Sequence, residues 1–323
     1  MNFFKLGLWA VIFFWFLNLQ IAFADTTAIS IVGTKVNSQQ DAAVNNNVSP
    51  ASSVTLPKGV VLLGDIAYGA DPQQRMDVYR QPDSVNAPVL LMVHGGGWHS
   101  GDKAQLMVVQ NKVARWVPKG FIFISVNYRT LPKADPLQQA EDVARALAFA
   151  QANAVSWGGN PAKFILMGHS AGAHLVDLLA ANPARALALG AHPWLGTISI
   201  DSGALNVVQT MADKHYALFD AAFGTDPGYW QTVSPYQSLS APAGPFLLIC
   251  STIRPDKPCL QTDSFAAKAN SLGIHTQVLE ERLSHEQINE TLGLPGAYTD
   301  AVEAYMSALD NSAMRALGPS PCE

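Results

Sequence analysis

The chain has 323 residues, 49% of them hydrophobic and 14% charged, a balance that supports a sizeable buried core and excludes a wholly disordered chain. Lys and Arg number 20 against 25 Asp and Glu, a formal net charge of −5 with no basic run, which argues against nucleic acid or acidic lipid as partners. Neither Cys250, Cys259 nor Cys322 pairs with a histidine at metal-ligand spacing, so no zinc site is expected.

Residues 1–24 read as a signal peptide. Lys5 gives a weakly positive start, residues 6–17 (LGLWAVIFFWFL) are almost wholly apolar, and Ala22-Phe23-Ala24 supplies the small-x-small pattern for cleavage after Ala24. Asn18 and Gln20 break the apolar run before it comfortably spans a bilayer, so no stable membrane association is expected after cleavage. The expected destination is periplasmic or secreted. Residues 25–56, rich in Ser, Asn, Gln, Thr and Ala without apolar periodicity, read as a flexible polar linker, and residues 57–323 as a single domain. An oxidising compartment would favour one disulfide and one leftover thiol; Cys250–Cys259 and Cys259–Cys322 are both open pairings.

From residue 60 to 80 two apolar-rich runs flank the turn-rich GADPQQ, an antiparallel hairpin. Continuous apolar runs at 89–93 (VLLMV) and 121–126 (FIFISV) predict buried strands. Asp135-Pro136 predicts a helix start, an N-cap followed by proline at the first helical position, with Leu137, Ala140, Ala144 and Leu147 on one face. Further strands are expected at 164–167, 197–200, 246–249 and 276–279, and helices at 174–181, near 264–271 and at 300–309. Strands separated by helices predict an α/β fold: a mostly parallel central sheet with helices on both faces, made mixed by the N-terminal hairpin. Residues 202–244 fit this alternation poorly and carry Tyr216, Phe219, Phe223, Tyr229, Trp230 and Tyr236. They read either as an insertion over a site at the sheet edge or as aromatic packing of an irregular excursion.

Gly168-His169-Ser170-Ala171-Gly172 is a G-x-S-x-G sequence between a strand and a helix. A serine in a tight strand-to-helix turn presents its oxygen above the sheet edge, and the flanking glycines avoid clashes in that turn. The following helix N-terminus favours developing negative charge. His94-Gly95-Gly96-Gly97-Trp98 follows the VLLMV strand directly, and glycine backbone lets N–H groups approach a substrate oxygen. The N–H groups of Gly96, Gly97 and Ala171 are therefore the expected oxyanion donors, with Trp98 lining the substrate pocket and His94 shaping the loop. A serine needs a base. Of the eight histidines, His285 follows the C-terminal end of the TQVLEE strand, where catalytic groups gather, whereas His275 lies before it. The acid is expected after the FLLIC strand at Asp256, with Asp263, read as capping the next helix, as its rival. A Cys250–Cys259 bridge would staple the loop that carries Asp256.

With HGGGW, GHSAG and the late Ser284-His285-Glu286 in place, the chain resembles α/β-hydrolase esterases of the hormone-sensitive-lipase and carboxylesterase group. It is more similar still to the feruloyl-esterase-like and kynurenine-formamidase-like branch. That likeness is carried by Asp65-Ile66-Ala67-Tyr68-Gly69, Met76-Asp77-Val78-Tyr79, Gly101-Asp102-Lys103, Val126-Asn127-Tyr128-Arg129 and Ser284 to Asn289. The resemblance implies an α/β-hydrolase catalytic domain in which Ser170, Asp256 and His285 hydrolyse small to medium acyl or aryl esters through an acyl-enzyme, without cofactor or metal. It also implies departures: the acid loop reads STIRPDKPC, where the family has a turn rich in glycine and aspartate. An arylformamidase-like amidase and a non-catalytic binding protein on the same fold are the competing readings.

Overall fold

The uninterrupted apolar runs become the central strands. In a computed structural model of the protein, residues 54–318 are described; the expected signal peptide, nearly all of the expected polar linker and Cys322 lie outside the described residues. Eight strands form one sheet: β1 (Val61–Ala67), β2 (Arg75–Arg80), β3 (Ala87–Val93), β4 (Ile122–Val126), β5 (Gly159–His169), β6 (Gly196–Ile200), β7 (Phe246–Ser251) and β8 (Thr276–Glu281). Their order is β1-β2-β4-β3-β5-β6-β7-β8. β1 pairs with β2, and β2 with β4, antiparallel; every pairing from β4 onward is parallel. The hairpin and the mostly parallel sheet expected from sequence are both present.

Every residue of β3 is buried, and its alternating side chains feed two cores. Val89, Leu91 and Val93 join a core with α2 (Pro136–Asn153) and α3 (Ala171–Ala181). Leu90 and Met92 point the other way, into a core with α1 (Leu106–Trp116), α11 (Ala297–Leu309) and α12 (Asn311–Leu317). A strand buried on both faces has no need of polar alternation, which is why its sequence shows none. The edge strands β1 and β8 alternate between half-buried and exposed positions instead.

The start of α2 follows from its first residues. Asp135 accepts from the Gln138 backbone N–H, and the Gln138 side chain returns the bond to the Asp135 N–H, with Pro136 at the first helical position. Between β6 and β7 lie four short helices, α5 (Val207–Ala212), α6 (Ala217–Phe223), α7 (Pro227–Thr232) and α8 (Pro235–Ser238). The remaining helices are the short α4 (Ala184–Leu187) and α10 (Gln287–Glu290), and α9 (Pro258–Ser271) after β7. Ordered packing begins before the boundary expected at Pro57, because Thr55 and Gln110 of α1 exchange reciprocal hydrogen bonds of 2.8 and 2.9 Å. Among the described residues no helix is long and apolar enough to cross a membrane.

Of the two open pairings, the structure contains Cys250–Cys259, joining the end of β7 to the first turn of α9 across a sequence separation of 9. Closing a loop of that size removes unfolded-state freedom equivalent to about 2–3 kcal/mol.

Candidate active site

The turn around Ser170 is built by exclusion. Ser170 has φ 56° and ψ −119°, a left-handed conformation that costs a non-glycine residue energy and is held by its surroundings. A Cβ on Gly168 would stand 2.4 Å from the Gly172 carbonyl oxygen, and one on Gly172 would stand 2.3 Å from the Val93 carbonyl oxygen. Only hydrogen fits at either position, so the two glycines of the motif are packing requirements of the elbow. The Ser170 N–H donates to the Ile200 carbonyl at 3.0 Å, which extends the β5–β6 ladder up to the nucleophile.

That ladder also determines which acid reaches the site. His169 of β5 is paired with Ile200 of β6, so the next residues along the two parallel strands, Ser170 and Asp201, sit side by side. His285, in the loop after β8, lies between them. Its Nε2 accepts from the Ser170 hydroxyl at 2.8 Å, and its Nδ1 donates to Asp201 Oδ2 at 2.6 Å. Asp201 is fully buried, and its other oxygen accepts from the Ser251 N–H at 2.8 Å. Burial alone would raise its pKa. The His285 hydrogen bond and the Arg254 charge outweigh that penalty and hold the carboxyl below its ordinary range, so it is ionised at neutral pH.

The structure thus brings Ser170 and His285 together and corrects the expected acid. Asp256 makes no contact with His285. Its two oxygens face the Arg254 guanidinium, at 3.0 Å from Nε and 2.5 Å from Nη2. The cause is position: Asp256 lies five residues past the end of β7, and the loop turns it toward Arg254, whereas Asp201 directly follows the strand beside the nucleophile. Asp263 is an exposed residue inside α9 and caps nothing, because that helix starts earlier than expected, with Pro258 at its first position.

Two other histidines close to the serine are accounted for by hydrogen bonds. His169 Nε2 lies 2.8 Å from the His285 carbonyl oxygen and donates to it, tying the base's backbone to the elbow. Burial, reinforced by the neighbouring His285, pushes the His169 pKa down to about 3, so it stays neutral. His174 donates from Nε2 to the Val233 carbonyl at 2.7 Å and accepts the Trp98 indole N–H on Nδ1 at 3.1 Å, and burial lowers its pKa to about 4.

The glycine loop is shaped by similar constraints. A Cβ on Gly95 would meet the Ser170 Cβ at 2.9 Å, and one on Gly96, whose φ is +124°, would meet the Ser100 carbonyl oxygen at 2.1 Å. Gly97 has φ +59° with open space around it. Gly95 is therefore the glycine packed against the nucleophile, a closeness the sequence reading did not assign. Among the described residues, no hydrogen-bond acceptor takes the N–H of Gly96, Gly97 or Ala171. His94 shapes the loop as expected: it is buried, stacks on Tyr128 at 4.6 Å, and donates from Nδ1 to the Gly95 carbonyl at 2.7 Å.

Trp98, expected to line the substrate pocket, is part of the buried core. It is 3% exposed, and its ring packs edge-on against Phe223 at 4.9 Å and tilted against Phe219 at 5.8 Å. Its left-handed backbone, φ 61°, is fixed by the Leu131 N–H and the Gln139 side chain, which both donate to its carbonyl. Trp98 thus ties the glycine loop to α6. Of the two readings of residues 202–244, the aromatic packing is present. Phe219 and Phe223 pack into the core, while Gly203, Thr210, Lys214, Tyr216 and Phe219 line a cavity of about 460 Å³ together with Asp256.

Residues 76–190 match the BD-FAE family model. The chain is 28% identical over 228 residues to esterase LipQ of Mycobacterium tuberculosis, covering 66% of this chain and 53% of that protein. It is 29% identical over 234 residues to esterase LipC of the same organism, covering 64% and 55%. The chain thus spans little more than half the length of these two relatives. Among solved structures, it superposes on the tributyrin-phosphonate-inhibited esterase B of Lactobacillus rhamnosis with a TM-score of 0.66. That match has 19% identity and covers 80% of this chain and 88% of that one.

Proposed function

We propose that this chain, which belongs to the α/β-hydrolase superfamily, is a serine carboxylic ester hydrolase acting through an acyl-enzyme, with Ser170 as nucleophile, His285 as general base and Asp201 as the orienting acid. The observation that carries the proposal is the unbroken chain of hydrogen bonds Ser170 Oγ–His285 Nε2, His285 Nδ1–Asp201 Oδ2, at 2.8 and 2.6 Å. A binding protein has no use for a strained serine aligned on an imidazole backed by a buried carboxylate.

In this reading His285 Nε2 takes the Ser170 proton as Oγ attacks the ester carbonyl. The resulting oxyanion receives N–H donors from Gly96, Gly97 and Ala171, at the N-terminus of α3. The imidazolium lies against ionised Asp201, which lowers the cost of its charge without taking the proton. His285 then returns that proton to the departing alkoxide, leaving an acylated Ser170. Water, deprotonated by the same nitrogen, releases the acid and restores the serine.

The substrate class is small to medium acyl or aryl esters. The names of LipQ and LipC support ester hydrolysis. The same reading places the protein outside the cytoplasm, periplasmic or secreted, which the Cys250–Cys259 bridge supports because such bonds persist in oxidising compartments. A p-nitrophenyl ester series from acetate to decanoate, run beside an aryl formamide, tests the substrate class. Turnover is expected to be fastest on the shorter esters and weak on the formamide. Preferential formamide turnover would replace esterase with amidase.

A further inference from the structure

We propose that Arg254 is a positioning residue of the catalytic apparatus, a cation that neutralises Asp201 beside His285, on the same carboxylate oxygen, and is itself held by Asp256. This rests on the triad reading above. Arg254 Nη1 donates to Asp201 Oδ2 at 2.9 Å and reaches the Asp201 carbonyl at 3.3 Å, while Nε and Nη2 grip Asp256. The same Nη1 lies 3.2 Å from His285 Nδ1, so the guanidinium and the imidazole share one carboxylate oxygen.

The arrangement has a chemical consequence. When His285 takes the serine proton, the imidazolium and the guanidinium both lie against Asp201, and the two cations oppose each other. Arg254 therefore weakens the hold of Asp201 on a protonated His285 and keeps the base free at lower pH. It also keeps a fully buried carboxylate ionised, a state that burial disfavours. Asp256 moderates the effect by taking up part of the guanidinium charge. Its position on the cavity side leaves it 27% exposed, so that moderation is partly screened by solvent.

The other ionisable groups facing this pair act from farther away or carry no charge. His169 from β5 is neutral and Tyr298 from α11 is held neutral by burial, while Lys112 of α1 acts on His169 and Glu281 of β8 on Tyr298. Glu286, on the loop of His285 itself, is bonded to the Ser284 hydroxyl. Among the described residues, the side chains paired with the Asp201 carboxylate are His285 and the cationic Arg254. The loop that presents it is closed at its ends by the Cys250–Cys259 bridge and anchored by Ser251, whose hydroxyl donates to the Leu283 carbonyl at 2.6 Å.

The test is the pH dependence of Ser170 labelling by a fluorophosphonate, a readout that needs no knowledge of the natural substrate. Arg254→Gln, which keeps bulk and loses charge, is expected to move the acid limb of the labelling rate upward by about one pH unit. Arg254→Lys should restore most of that shift, and Asp256→Asn should move the limb the other way, by less. Circular dichroism of each variant establishes that it is folded, and Asp256→Asn carries the test if the Arg254 variants are not. Profiles of Arg254→Gln and Asp256→Asn that superimpose on the parent's would overturn the role of Arg254 and leave the triad standing. A parent protein that does not label at all would overturn the hydrolase reading and this inference with it.

Discussion

Asp201→Asn is expected to lower kcat by about 10⁴-fold, while Asp256→Asn costs under about tenfold. An amide at position 201 presents either a donor or a neutral acceptor to His285 Nδ1. The ring then loses the ionised partner that fixes its tautomer and stabilises its protonated form. Asp256 touches only the Arg254 guanidinium from a partly exposed position, so its loss leaves the line from Asp201 to Ser170 intact. Steady-state kinetics of the two variants on one short p-nitrophenyl ester check this. Equal losses, or a larger loss at Asp256, would return the acid to the loop after β7.

The largest loss is expected for Ser170→Ala, about 10⁶-fold in kcat, with His285→Ala close behind. The two groups act as one unit, since the hydroxyl is a nucleophile only while Nε2 receives its proton. The double variant should therefore be little worse than either single one. Additive losses in that cycle would mean that the serine and the histidine work in separate steps.

Much of this site was legible in the residues themselves. The elbow follows from Gly168 and Gly172, whose requirement is steric and local, and His285 follows from its place after the last strand. The acid was harder to place because the choice depends on strand order and register, which a single sequence does not display. A signal was present: Asp201-Ser202-Gly203 directly follows the GTISI strand and sets beside its aspartate the glycine that STIRPDKPC lacks. What it did not reveal is that β6 lies immediately beside the nucleophile strand, in a register that sets Ile200 against His169.

Trp98 was misplaced for a related reason. An aromatic beside a glycine loop suits a pocket wall or a core equally well, and the deciding contacts, with His174, Phe219 and Phe223, come from segments far along the chain. Helix α1 was missed because its local signals are poor. Gln105 makes no side-chain cap, and Lys112 interrupts the apolar face. That lysine is nonetheless buried, its ammonium bonded to the Asn289 carbonyl at 2.6 Å, and burial pushes its pKa down to about 7. Tertiary packing, not propensity, fixes that helix.

The most direct test of the central claim is to treat the protein with a fluorophosphonate and locate the adduct by intact mass and peptide mapping. A single adduct on Ser170, absent from Ser170→Ala and slow to form in His285→Ala, is the predicted result. An unmodified protein, or an adduct that persists in Ser170→Ala, would contradict the account.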